Sequence, residues 1–145
     1  MKKHFVCILA CLILLIGGTV SAKDLSIYFY DDKMTFESEP YIENERTMVP
    51  FRTIFEAADA AVLWDEEPRT IIAFKTVGEE TTSIAFQADE NYAFVNNEKV
   101  EIDAPAKIKN GFTFVPLRFI METLGADVKW YGDTYTVFVS MNKST

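Results

Sequence analysis

By residue type, the carboxylates are the side chains best suited to catalysis, because three short segments each bring two or three of them together. The segments are Asp65-Glu66-Glu67, Glu79-Glu80 and Asp89-Glu90. Paired carboxylates can serve as acid and base in a glycosidase, and their oxygens suit a hard cation such as Ca²⁺. None of the segments has the alternating ligand spacing of a calcium-binding loop. These residues therefore favour solvated turns, and neither a catalytic pair nor a metal site stands out.

Histidine and cysteine occur only within the first 22 residues, at His4, Cys7 and Cys11. From residue 23 onward the chain cannot build a Ser-His-Asp triad or a Cys-His pair. It also lacks the usual ligands of zinc and copper. We therefore expect residues 23–145 to have no enzymatic activity, no cofactor and no metal.

The first 22 residues have the composition of a secretory signal peptide. A basic start, MKKH, is followed by an apolar run over residues 5–16, and small residues occupy positions 20 and 22. The run is shorter than the roughly 20 residues that span a bilayer. Cys11 lies inside this run rather than after it, which disfavours a lipoprotein. We predict cleavage after Ala22, a secreted location at the cell envelope, and no membrane attachment afterwards.

The remaining chain, residues 23–145, has the length of one ordinary domain. Loss of Lys2 and Lys3 would change the formal net charge from −8 to −10. Phosphate backbones and anionic lipids repel such a protein. We therefore predict that it does not bind nucleic acid, and that its partner is an envelope protein or a glycan.

One phrase is written twice, as TMVPFRTIFEAADAAVLW from Thr47 and TFVPLRFIMETLGADVKW from Thr113. At a constant offset of 66 residues, thirteen pairs are identical, and the units cover about residues 27–74 and 93–140. The motif residues that we single out in the two units are Pro50, Arg52, Glu56, Trp64, Pro116, Arg118, Glu122, Gly125 and Trp130.

Each unit reads as a β-hairpin, an extended polar link, a strand, a short helix and a second hairpin. The first hairpins are predicted to turn at Asp31-Asp32 and Asn96-Asn97. Val-Pro marks the switch from strand to helix. The helices, of nine or ten residues, carry one apolar stripe each and end at Asp59 and Gly125. The stripes are Phe51, Ile54, Phe55, Ala58 and Leu117, Ile120, Met121, Leu124.

A further strand is predicted at residues 81–86, between the two units. The fold class is thus α+β, with two pseudo-repeated units packed as one domain around a mostly antiparallel sheet.

Arg52 and Arg118 lie in the first turn of their helices, where a cation opposes the helix dipole. Each has a glutamate four residues on, at Glu56 or Glu122, which places the pair on one helix face. We expect each guanidinium also to bond backbone carbonyls of the adjoining link or to stack on a nearby tryptophan. The functional alternative is an arginine that binds a ligand carboxylate.

Trp64 and Trp130 end strands just before turns. Each can be a large core residue packed against its helix. Alternatively, Trp130 can form a sugar-stacking platform with Tyr131 and Tyr135, and these three residues are the candidate ligand surface.

The second phrase, with VNNEKVEI before it and DTYTVFV after it, resembles the copper amine oxidase N-terminal domain-like family, the "stalk" domains of secreted bacterial proteins. The family wording has a V-N-G-K hairpin, N-G-R-T-L-V-P-L-R, a helix ending in E-A-L-G-A, and V-x-W. Asn97 and Phe112 replace the family's Gly and Arg in the second unit, and Glu45 and Asp59 replace Gly in the first. The resemblance covers almost all of residues 23–145.

This resemblance implies an accessory α+β module of the cell envelope with no oxidase activity of its own. In the family's namesake enzymes, copper-binding histidines and a tyrosine-derived quinone belong to a separate catalytic domain. The alternatives are a carbohydrate- or peptidoglycan-binding protein, or a small carboxylate-dependent hydrolase.

Overall fold

The computed structural model describes residues 23–141, so the expected signal peptide lies outside the described residues. Thirteen strands and two helices form within this part of the chain. They are β1 (Ser26–Phe29), β2 (Asp32–Lys33), β3 (Tyr41–Glu43), β4 (Arg46–Pro50), α1 (Phe51–Ala57), β5 (Ala61–Asp65), β6 (Thr70–Val77), β7 (Glu80–Gln87), β8 (Tyr92–Val95), β9 (Glu98–Glu101), β10 (Lys107–Lys109), β11 (Phe112–Pro116), α2 (Leu117–Thr123), β12 (Ala126–Tyr131) and β13 (Thr136–Met141).

The strands form three sheets, with the orders β12-β13-β1-β2, β10-β11-β4-β3 and β5-β6-β7-β8-β9. Among the described residues the pairing is antiparallel throughout, except that β1 and β13 run parallel. The predicted α+β class with a mostly antiparallel sheet is confirmed. The elements before β7 follow the same order as those after it.

In the sheet of order β10-β11-β4-β3, the two central strands pair Val49 with Val115, and both side chains are fully buried. Around this pair, Met48 lies opposite Pro116 and Pro50 opposite Phe114. Because the offset of 66 residues relates Met48 to Phe114 and Pro50 to Pro116, the register is the same when read from either strand.

Both Val-Pro dipeptides are strand-to-helix corners, as predicted. Pro50 (φ −57°, ψ 127°) and Pro116 (φ −70°, ψ 116°) are extended, and each helix begins at the next residue. The helices have seven residues rather than nine or ten. Asp59 (φ 56°) and Gly125 (φ 88°) adopt the left-handed conformation that ends each helix.

In the second unit, the opening hairpin turns where predicted. In the first unit, it turns one residue earlier than predicted. Asn96 and Asn97 both have positive φ, as a two-residue hairpin loop requires. In the first unit Phe29 pairs with Asp32, so the loop consists of Tyr30 and Asp31. The polar links contain β3 and β10, which pair with β4 and β11.

Both predicted apolar stripes are buried. A helix of seven residues does not persist alone in water, so each one depends on packing its stripe against the sheets. Helix α1 packs on β4, β5 and β11, and helix α2 packs on β4, β11 and β12. No side chain of the two stripes exposes more than 9 % of its surface, and four are fully buried: Ile54, Phe55, Ile120 and Met121.

Neither helix of residues 23–141 has the length and apolar character needed to cross a membrane.

Candidate functional site

Arg118 links helix α2 to the neighbouring strand β12. Its Nη1 donates one hydrogen bond to Glu122 Oε1 at 3.0 Å and another to the backbone carbonyl of Val128 at 3.1 Å. The spacing of four residues thus forms the expected ion pair. The backbone partner belongs to β12 rather than to the link before the helix, because α2 lies against β12.

Arg52 occupies the matching position on α1 but has different contacts. Its Cζ lies 5.5 Å from the centroid of the Phe51 ring, so it stacks on a phenylalanine rather than on a tryptophan. Within residues 23–141 it forms no ion pair with Glu56. The two arginines are therefore not equivalent in their bonding.

Arg118→Lys is expected to lower the free energy of unfolding by about 1 kcal/mol, because lysine cannot make both bonds in the same geometry. The magnitude stays small because the Arg118 side chain is half exposed to solvent. Chemical denaturation measures this change. The matched control, Arg52→Lys, should cost no more than about 0.5 kcal/mol. Equal losses in the two variants would contradict a specific role for the Val128 bond.

The two tryptophans have different surroundings. Trp64 is half-buried, and its ring stacks on Phe51 with centroids 6.1 Å apart at 30°. Trp130 is 40 % exposed and meets the Tyr135 ring edge-to-face at 5.4 Å. Trp64 is thus covered by a neighbouring ring, whereas much of Trp130 is accessible to solvent.

The structure brings Trp130 and Tyr135 together but places Tyr131 elsewhere. Strand β12 continues through Tyr131, and successive side chains of a strand point to opposite faces. Tyr131 therefore contacts Phe138 on the other face of the sheet, with centroids 5.6 Å apart. The candidate ligand surface is divided into a Trp130–Tyr135 pair and a separate Tyr131.

Trp130 and Tyr135 border an open cleft of about 730 Å³, which we call the Trp130 cleft. One wall is the start of α2 with strands β12 and β13, and the other is the β3–β4 turn with the link after β9. Two ion pairs lie in it, Arg118 with Glu122 and Arg46 with Asp103. Glu45 and Glu101 also line the cleft, so an aromatic pair and six charged groups face the same space.

A second cleft, of about 280 Å³, surrounds Trp64, and we call it the Trp64 cleft. Each of its ten lining residues corresponds, at the offset of 66, to a residue that lines the Trp130 cleft. Five of these ten pairs differ in residue type, and two of the five concern us here. Phe51 replaces Leu117 and covers Trp64, and Phe112 replaces Arg46. The larger of these two matching clefts is thus the one in which the tryptophan is uncovered.

Arg46, Asp103 and Leu117 were not singled out as site residues in the sequence. A signal for them was present, because aligning the two units at an offset of 66 pairs Arg46 with Phe112 and Leu117 with Phe51. These pairs are two of the five positions at which the linings of the two clefts differ in residue type. No pattern within a few residues predicts that the β3–β4 turn and helix α2 line the same cleft.

The acidic segments lie in turns. Asp65 Oδ1 accepts a hydrogen bond from the Glu67 amide at 3.1 Å, and Asp89 pairs with Arg69 at 3.2 Å. Within residues 23–141, no three acidic, histidine or cysteine residues are grouped so that they could hold a metal ion.

Tyr41, Glu43 and Lys107 form a titratable cluster of side chains, which reach toward each other from β3 and β10, the two outer strands of their sheet. Partial burial, and then the charge of Glu43, raise the pKa of Tyr41 above its ordinary 10.0. A hydrogen bond to Glu43, with Nζ and Oε2 2.8 Å apart, raises the pKa of Lys107 above 10.5. In the folded protein both groups hold their protons more tightly than in the unfolded chain.

This cluster predicts a loss of stability in alkali. Its contribution is fully present below the ordinary pKa values, and it is lost as pH rises through the raised ones. The thermal midpoint should fall from about pH 9 to about pH 11. The fall should be smaller in Tyr41→Phe, which has no phenol to ionise. An identical fall in both proteins would contradict this role of Tyr41.

Comparison with known proteins gives one match. The family model described as copper amine oxidase N-terminal domain matches residues 28–139. No curated protein and no solved structure matches the chain.

Proposed function

Because the chain belongs to the copper amine oxidase N-terminal domain family, a non-catalytic part of those oxidases, we propose that it is an interaction module of the cell envelope. In this proposal it acts by binding a partner and catalyses no reaction. Its partner is an envelope protein or a glycan, and it uses no cofactor.

The observation that carries the proposal is the Trp130 cleft. Concave sites with exposed aromatic rings and a few convergent polar groups are typical of ligand recognition. Here Trp130 is 40 % exposed beside Tyr135, and the cleft is open to solvent. The four carboxylates of its lining, on Glu45, Glu101, Asp103 and Glu122, are all exposed, and Asp103 and Glu122 are paired with arginines. Such carboxylates suit contact with a ligand better than the acid and base roles of a hydrolase.

The envelope location rests on the first 22 residues, whose basic start, apolar run and small residues fit a cleaved secretory signal. The acidic composition of residues 23–145 suits a soluble protein outside the cell.

The module contains two copies of one ancestral unit. The constant offset of 66 residues supports this duplication. So does the register around Val49 and Val115, which reads the same from either strand. Duplication also explains why two clefts have corresponding linings.

A second candidate function is carbohydrate or peptidoglycan binding, and the Trp130–Tyr135 pair favours it. Exposed aromatic rings give a sugar ring a flat apolar surface on which to stack.

Fractionation of the source cell tests the proposed function. When the full-length chain is expressed, it should be recovered outside the cytoplasm in a processed form whose first residue is Lys23. The purified protein should not oxidise primary amines. A matched Ala22→Arg chain, in which the cleavage position is blocked, should keep its first 22 residues. Recovery of the unprocessed chain in the cytoplasm, or turnover of an amine, would refute the proposal.

A further inference from the structure

We propose that the Trp130 cleft binds a hexopyranose ring of a glycan, stacked on the indole of Trp130 and hydrogen-bonded by the charged groups around it. This inference rests on the proposed function, since it names the ligand class of that binding site. Three features of the two clefts support it.

First, the Trp64 cleft shows that an indole at this position can stack with a six-membered ring. There the six-membered ring of Phe51 lies on the indole, with centroids 6.1 Å apart at 30°. In the Trp130 cleft the corresponding residue is Leu117, which is 1 % exposed and belongs to the core. Leu117 lays no ring on Trp130, whose indole is 40 % exposed and meets Tyr135 only at the ring edge. A bound ring of similar size to that of Phe51 can therefore stack on the exposed indole.

Second, Tyr135 holds its ring beside Trp130 from a strained backbone. Its φ is 52°, in the left-handed region that glycine and asparagine adopt readily and that a bulky residue rarely occupies. Arg69 is the matching residue of the other unit and has φ 60°, so the turn itself requires this conformation. The turn therefore explains the positive φ but not the choice of tyrosine. We attribute that choice to the contact between its ring and Trp130.

Third, the polar groups of the cleft suit hydroxyl groups. Arg118 beside Glu122, and Arg46 beside Asp103, place hydrogen-bond donors next to acceptors. A sugar hydroxyl both donates and accepts, so neighbouring hydroxyls can bond to both members of such a pair. The C–H face of a pyranose carries slight positive charge and is attracted to the negative face of an indole. A phenylalanine side chain could stack on the indole but could not hydrogen-bond to the charged groups.

Titration of the full-length chain tests this proposal with two probes, the β-1,4-linked tetramer of N-acetylglucosamine and cellotetraose. Trp64→Phe leaves Trp130 as the chain's single tryptophan, so its fluorescence reports on this cleft. We expect saturable quenching or a blue shift with at least one tetramer. Calorimetry on the unsubstituted chain provides the same measurement if Trp64→Phe does not fold. Pull-down on insoluble chitin and cellulose then tests whether the bound sugar ring comes from a polymer or only from a soluble oligosaccharide.

Two variants test whether Trp130 and Tyr135 form the binding site, and a third variant is their matched control. Trp130→Ala should weaken binding at least about tenfold, since stacking on an aromatic ring accounts for about that factor. Tyr135→Gly should weaken binding while leaving the thermal midpoint unchanged or higher, because glycine relieves the strained φ. Arg69→Gly makes the same backbone change in the other unit and should leave binding within about twofold of the original.

Three results would overturn the proposal. One is the absence of binding to either tetramer at millimolar concentration. Another is an equal loss of binding in Arg69→Gly and Tyr135→Gly. The third is displacement of the tetramers by a phenylalanine-containing peptide that binds more tightly at Trp130. Each of these leaves an envelope interaction module standing if fractionation still finds the processed chain outside the cytoplasm.

Discussion

Phe55→Ala is expected to lower the free energy of unfolding by about 3–5 kcal/mol, one of the two largest effects that we predict. Phe55 is fully buried in α1, where the helix packs on β4, β5 and β11. Removing its ring deletes apolar contacts and leaves a cavity under a helix too short to persist alone. Urea denaturation should show a lower midpoint with an unchanged slope.

The control for this variant is Phe94→Ala, which removes the same ring from an exposed position. Phe94 lies on β8, is 41 % exposed, and meets Tyr92 edge-to-face at 5.8 Å. Its loss should cost less than about 1 kcal/mol. If both variants lost the same stability, the helix would not be anchored by the core as the structure describes.

The second large effect separates the two tryptophans. Trp64→Ala is expected to cost about 2–4 kcal/mol, because the indole is half-buried, packs against the core and stacks on Phe51. Trp130→Ala should cost less than about 1 kcal/mol, since much of its ring already faces solvent. Thermal unfolding of the two variants measures the difference.

This comparison is informative because the two residues occupy equivalent positions of the duplicated unit proposed above. If Trp130→Ala were as costly as Trp64→Ala, the Trp130 ring would be a core residue and the cleft would lose its stacking surface. If neither variant lost stability, the contact between Phe51 and Trp64 would contribute nothing measurable to the fold.

Much of the fold could be predicted from local patterns. The Val-Pro corners, the apolar stripes and the positive φ at Asn96, Asn97 and Gly125 all depend on interactions within a few residues. What local patterns could not predict is which strands become neighbours. The parallel pairing of β1 with β13 joins residues more than a hundred positions apart, and no nearby residue specifies it.

The candidate site could be predicted only in part, for a similar reason. Residue type indicates Trp130 and Tyr135, but a strand that ends at Trp130 would also group Tyr131 with them. One more residue of strand places Tyr131 on the opposite face. Arg46 enters the cleft from a turn 72 positions before Arg118, so only the folded arrangement could bring it there.

The pairing of the first described strand with the last determines how the domain would respond to mechanical load. Because β1 and β13 are parallel, a pull at Ser26 and an opposite pull at Met141 would slide the two strands past each other. The hydrogen bonds joining them, from the Ser26 amide to Tyr135 and from the Tyr30 amide to Val139, would then bear the force together. A tethered chain of this architecture should resist stretching more strongly than one whose end strands peel apart one bond at a time.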